Sequence, residues 1–142
     1  MSAQPEKIMH LLSGISDRIF VNLTSSYKKE GYTDITPSQG AVLCALHNKV
    51  PQTMTSISQQ VYRDPSTVTQ IVKKLEVNGY LERRKNINDS RKTEIILTEK
   101  GKIARLAIVR SSRKMFTKIY KYTSFEERRL LISLLEKVNA GS

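Results

Sequence analysis

Apolar residues recur along the chain at two spacings, and the changes between them mark eight elements. From residue 6 to 30, Ile8, Leu11, Leu12, Ile15, Ile19, Leu23 and Tyr27 return at steps of three and four, one face of a long helix that Gly31 can stop. Thr36 to Gln39 reads as a capping box with Pro37 at the first helical position, opening a helix that carries Val42, Leu43 and Leu46 and ends before Pro51. A short helix from about Thr55 to Tyr62 turns Ile57 and Val61 inward. The next begins on Asp64 and Pro65, buries Val68, Ile71, Val72 and Leu75, and stops at Asn78-Gly79. The period then falls to two. "YLERRK" and "TEIILT" read as strands flanking the turn-rich "NINDSR". Helical spacing returns from about Glu99 to Tyr120, where Ile103, Leu106, Ala107, Met115, Phe116 and Ile119 are expected to face inward. A capping box at Ser124–Glu127 opens a last helix bearing Leu130, Leu131, Leu134, Leu135 and Val138. The predicted class is mostly α (α+β), in the order α-α-α-α-β-β-α-α.

Charge narrows the picture. Against 13 Asp and Glu stand 24 Lys and Arg, a formal net charge of +11 over 142 residues. Such an excess favours a polyanionic partner: DNA, RNA or an acidic membrane surface. No run approaches the ~18 apolar residues of a membrane span, and the N-terminal stretch lacks a signal-peptide layout, so a cytoplasmic protein is expected. The length suits one domain.

Candidate chemistry is sparse apart from the positive charge. No Gly-rich phosphate loop and no nucleophile paired with a base is visible, so no enzyme and no cofactor are expected. His10 and His47 are isolated, and no cluster suggests a metal. The single cysteine, Cys44, lies between Leu43 and Leu46 and reads as a small core hydrophobe, with redox sensing as the alternative. The strands carry only Tyr80 as an aromatic, too little for the stacking platform of common RNA modules. A non-specific architectural DNA-binding protein remains a competing reading.

Two short helices followed by a basic hairpin resemble a winged helix-turn-helix. "TPSQGAVLCAL", "DPSTVTQIVKKLEVNGYLERR" and "DSRKTEIILTEKG" resemble, in order, the second helix, the recognition helix with its first wing strand, and the wing of the MarR (multiple-antibiotic-resistance regulator) family. The resemblance implies a single unit over 1–142. Residues 35–98 would form the DNA-binding lobe, and 1–34 and 99–142 a helical dimerisation region. The crowded leucines of the last helix call for a homodimer on their own account.

On the helix over 65–78, the face opposite the apolar stripe offers Ser66, Thr67, Thr69, Gln70, Lys73 and Lys74 to a major groove. Gln70 can pair with adenine, and Lys73 can reach guanine or a phosphate. In the wing, 83–93, the candidates are Arg83, Arg84, Lys85, Asn88, Asp89, Arg91 and Lys92. Arg91 matches the family's minor-groove arginine, and Asp89 is placed to orient it. The family's "DP-x-D" is replaced by "NIND", without proline, which leaves the tip conformation open. Thr55, Ser56 and Arg63 are candidates for backbone contacts. The resemblance also implies a small-molecule effector, aromatic or anionic, with Ile15, Ile19, Tyr27 and Leu43 as candidate walls that plain core explains equally well. The fifth helix carries eight cations from Lys100 to Lys121, read as a solvated face, an anionic-ligand mouth or extra steering toward DNA.

Overall fold

Five of the six helices begin on a side chain that accepts a hydrogen bond from a backbone N–H of the first turn, which fixes where each one starts. The computed structural model describes residues 4–47 and 50–142. The first three residues of the expected region 1–34, and residues 48 and 49 ahead of Pro51, lie outside the described residues. The elements are α1 (Pro5–Lys29), α2 (Pro37–Ala45), α3 (Met54–Val61), α4 (Pro65–Val77), β1 (Leu81–Lys85), β2 (Thr93–Leu97), α5 (Glu99–Ile119) and α6 (Phe125–Ala140). Their order is the one the spacing predicts. The caps are Thr36, Thr53, Asp64, Thr98 and Ser124, and both predicted capping boxes are formed.

The core lies where α2, α3 and α4 meet the sheet and α5. Val42, Leu43, Ile57, Val68, Val72, Leu75, Ile95 and Ile108 are fully buried there. β1 and β2 pair antiparallel, Leu81 opposite Leu97 and Lys85 opposite Thr93. An unforeseen third rung joins them. Gln52 exchanges both backbone hydrogen bonds with Ile95, at 3.1 and 2.7 Å. Its buried side chain donates to the Ala45 carbonyl at 2.7 Å and accepts from Ser56 Oγ at 3.2 Å and from the Gln60 amide. One glutamine thus ties the end of α2, the start of α3 and the back of the wing.

The joint between α4, β1 and α5 is equally determined. Gly79 takes a left-handed turn at φ 81°, and its carbonyl accepts from Thr98 Oγ1 at 2.6 Å. Lys100 Nζ lies 4.4 Å above the Tyr80 ring and donates to the Asn78 carbonyl at 2.6 Å, while Tyr80 Oη donates to Asp34 at 2.8 Å. A Cβ at Gly101 would collide with the Tyr80 carbonyl oxygen, so α5 can start here only on glycine.

One expected face is corrected. In α5, Ala107 and Met115 are buried, but Ile103, Leu106 and Phe116 are exposed. The buried stripe runs Gly101, Ala104, Ala107, Ile108, Ser111, Met115. Small residues let the α5 backbone approach α1 and α2 closely, and that carries the large side chains off the interface. In α1 only Leu23 and Tyr27 are buried; Ile8, Leu11, Leu12 and Ile15 are exposed. α6 buries none of its residues against the rest of the chain.

Candidate nucleic-acid interface

Asp64 organises the N-terminus of α4. One carboxylate oxygen accepts from the Thr67 N–H at 2.8 Å and from Ser66 Oγ at 2.6 Å, and the other from Thr67 Oγ1 at 3.0 Å. The Ser66 hydroxyl, then the Thr67 N–H and hydroxyl, hold its pKa down to about 2. Thr69 Oγ1 donates to the Pro65 carbonyl at 2.8 Å. The hydroxyl protons of Ser66, Thr67 and Thr69 are therefore committed within the helix, and Thr67 is half-buried. Gln70, Lys73 and Lys74 are exposed and border an open groove between α4 and the start of α2.

The hairpin tip is built without proline. Asn86 Oδ1 accepts from the backbone N–H groups of Asn88 and Asp89 at 2.8 and 3.0 Å. Its amide nitrogen donates to Glu94, and its backbone N–H to the Lys92 carbonyl at 3.0 Å. Within this turn Asp89 Oδ1 accepts from Arg91 twice, from the backbone N–H and from Nε, both at 3.1 Å. The Arg91 side chain is nonetheless 89% exposed. Those bonds, the side-chain one first, lower the Asp89 pKa. The pair thus projects a fixed guanidinium into open space.

The other wing cations differ in freedom. Arg83 pairs with Glu76 of α4 at 3.4 Å, and Arg84 with Glu94 across the strands at 3.3 Å. Lys85, Asn88 and Lys92 are exposed. Ile87 is missing from the sequence reading; it stands at the tip 93% exposed. Its only signal in the sequence is an apolar residue inside a turn.

Of the candidate backbone contacts, Thr55 and Arg63 are exposed, while Ser56 is half-buried and bonded to Gln52. Arg63 also stands on the wall of a cavity of about 230 Å³ between α1, α2 and the α3–α4 turn, with Ile19, Phe20, Leu23, Ala41, Val61 and Ile71. Of the four candidate wall residues, Ile19 borders this cavity. Tyr27 and Leu43 are packed into the core, and Ile15 faces outward. The Tyr27 pKa is pushed up to about 12, mainly by burial and also by Cys44. Cys44 is half-buried rather than enclosed, and burial raises its pKa against the opposing Arg105 and Ser112. A raised pKa disfavours the thiolate that redox chemistry needs. Among the described residues no group of three His, Cys, Asp or Glu is placed to hold a metal, and no helix is long and apolar enough to cross a membrane.

Arg105, one of the cations in the Lys100–Lys121 run, has a contact the sequence did not foresee. Its guanidinium donates to the last carbonyls of α2, Leu43 and Cys44, both at 3.1 Å, which caps that helix from α5.

Comparison with known proteins places this arrangement. The chain is 31% identical over 111 residues to the HTH-type transcriptional regulator SarZ of Staphylococcus saprophyticus, covering 78% of this chain and 75% of that one. Its fold matches BpsR of Bordetella bronchiseptica, whose DNA binding is regulated by 6-hydroxynicotinic acid, with a TM-score of 0.79, 21% identity and coverage of 97% and 96%. It also matches MepR of Staphylococcus aureus in complex with DNA, at 0.78, 24% and coverage of 94% and 97%. The MarR family profile matches residues 35–93, from the end of the α1–α2 loop through the wing. Six helices, a two-stranded wing and this sequence similarity agree: the chain belongs to the MarR family, whose members are transcriptional regulators and not enzymes.

Proposed function

We propose that the chain is a homodimeric repressor in the cytoplasm that binds a pseudo-palindromic DNA operator. One observation carries the reading. The polar face of α4 with Gln70, Lys73 and Lys74 is exposed, and a wing arginine is hydrogen-bonded to its own aspartate. Residues 35–98 act as the DNA-binding lobe. The recognition helix, 65–78, enters the major groove, where Gln70 reads a base and Lys73 and Lys74 reach bases or phosphates. Ser66, Thr67 and Thr69 approach closely as acceptors, since their protons are engaged. The wing, 83–93, lies on the minor groove with Arg91 inside it and Lys85, Asn88 and Lys92 toward the backbone. Arg83 and Arg84, tied to Glu76 and Glu94, shape the wing more than they touch DNA. Thr55 and Arg63 lie toward the flanking phosphates.

Regions 1–34 and 99–142 form the dimer. The exposed Ile8, Leu11, Leu12 and Ile15 of α1 and the leucines of α6 find cover only on a second copy. Two-fold symmetry then sets the recognition helices on half-sites about 10 bp apart. The cavity beneath α1 supports an effector. Apolar walls with Arg63 as their cation suit a small aromatic anion, in keeping with the regulated DNA binding of BpsR.

Selection of bound duplexes from a random pool, followed by light scattering of the free protein, tests the reading. An enriched palindrome and a dimer mass are expected. A monomer, or equal retention of all duplexes, overturns it.

A further inference from the structure

Seven cations lie on α5, and six of them fall into two groups. In its first half Lys100 donates to the Asn78 carbonyl, Lys102 pairs with Glu99, Arg105 caps α2 and Arg110 pairs with Glu30 at 3.2 Å. In its second half Lys114 and Lys118 form no hydrogen bond or ion pair with any described residue. They sit four apart on one helical face, where like charges repel. Both line a cleft of about 300 Å³ between α5 and α1, and the α1 wall adds a third unpaired ammonium, Lys29. The carboxylate next to it in sequence, Glu30, is taken by Arg110. Serines and Met115 share the cleft lining. Ser26 Oγ donates to the buried Ser111 Oγ at 2.9 Å, and Ser25 lines the rim. The cleft shares no residue with the cavity beneath α1, and it draws on a different face of that helix.

We infer that this cleft binds a compact, multiply charged oxyanion of the phosphate class. Three lysines line one cleft with no carboxylate among its walls, so nothing in the lining offsets their charge. An anion there accepts from Lys29 on one helix and from Lys114 and Lys118 on the other. Ser25, Ser111 and Asn22 add neutral donors beside Met115, and the three lysines supply the charge that phosphate oxygens need. The bound anion would clamp α1 to α5 next to the Ser26–Ser111 bond. The inference does not rest on the DNA reading.

The test is thermal melting of the full chain in sodium phosphate and in pyrophosphate against sodium chloride at equal ionic strength. The wild type is expected to melt about 3 °C higher at ten times the dissociation constant of the anion. Lys114→Gln/Lys118→Gln loses that rise and melts no lower than wild type in chloride, because a repulsion has been removed. Lys73→Gln/Lys74→Gln, on the recognition helix, keeps it. Lys29→Gln on α1 gives the same loss and serves if the double variant folds poorly. The inference is overturned if phosphate and pyrophosphate do no more than chloride. It is equally overturned if the cleft variants keep the rise, or if the α4 variant abolishes it, which would place the anion on the DNA face. A lower salt slope for DNA in the cleft variants, with no anion effect, would assign these lysines to DNA phosphates instead.

Discussion

The winged lobe and the helical ends of this molecule use the same apolar vocabulary to opposite effect. In the lobe, every helix start is capped, the turn residues are bonded in place, and the apolar positions of α2, α4 and β2 close over one core. At the ends, α1 shows five large apolar side chains to solvent over its first three turns, and α6 buries nothing. The lobe is finished by its own chain; the ends leave apolar surface uncovered. Stability and assembly are therefore separable here, and substitutions in the two regions should fail differently.

The sharpest break is expected in the ends. Leu131→Arg/Leu134→Arg places two charges where the partner's apolar surface is proposed to lie, and desolvating them costs several kcal/mol. Light scattering should show the mass halved at micromolar concentration while the circular dichroism of the lobe persists. An unchanged dimer would remove α6 from the interface. In the lobe, Gly101→Val must push the Tyr80 carbonyl away and should cost about 3 kcal/mol or more in urea unfolding. A loss under ~1 kcal/mol would show that the joint has slack.

Function should divide along the same line. Arg91→Ala is expected to weaken operator binding more than about tenfold with the dimer intact, read by fluorescence anisotropy at physiological salt. Unchanged affinity takes the wing out of recognition. Gln70→Ala should alter which base is preferred, whereas Lys92→Ala lowers the log–log salt slope by about 1 from a total near about −7. Equal loss on all sequences for Gln70→Ala would deny it a reading role.

The smallest effect is one of pH. Asp64 has its pKa lowered in the folded chain to about 2 from 3.8, so it binds protons less readily when folded. Its contribution to the α4 cap is complete above about pH 4 to 5 and fades as the pH falls toward about 2. Melting of wild type and Asp64→Ala from pH 6 downward should show a gap that closes in that window. A gap that stays constant to pH 2 would mean the carboxylate charge is irrelevant to the cap.

How far these differences could be read beforehand depended on which force wrote each feature. Caps, turns and the alternation of β2 are local signals, so the element order and the exposed face of α4 were legible. The phase of α5 was not. Periodicity weights large apolar residues, and here Gly101, Ala104 and Ala107 make the contact because the backbones come close. Gln52 was invisible because its function is long-range: a rung on Ile95 and a brace on α2. The wing tip carried a misleading gap. The missing proline is made good by Asn86, whose side-chain carbonyl holds the turn that a fixed φ holds elsewhere. The α5 cations were readable as a run but not as two populations, since their acceptors lie on other elements.

Helix α5 begins on the cap beside the wing and ends 21 residues later among the exposed apolar side chains. At 1.5 Å per residue it is a lever of about 31 Å. A tilt of roughly ten degrees about its far end therefore swings the wing joint by about 5 Å, more than the ~3.4 Å between stacked base pairs. If the wing sits on DNA as proposed, whatever nudges that shaft at one end changes which base pair the other end meets.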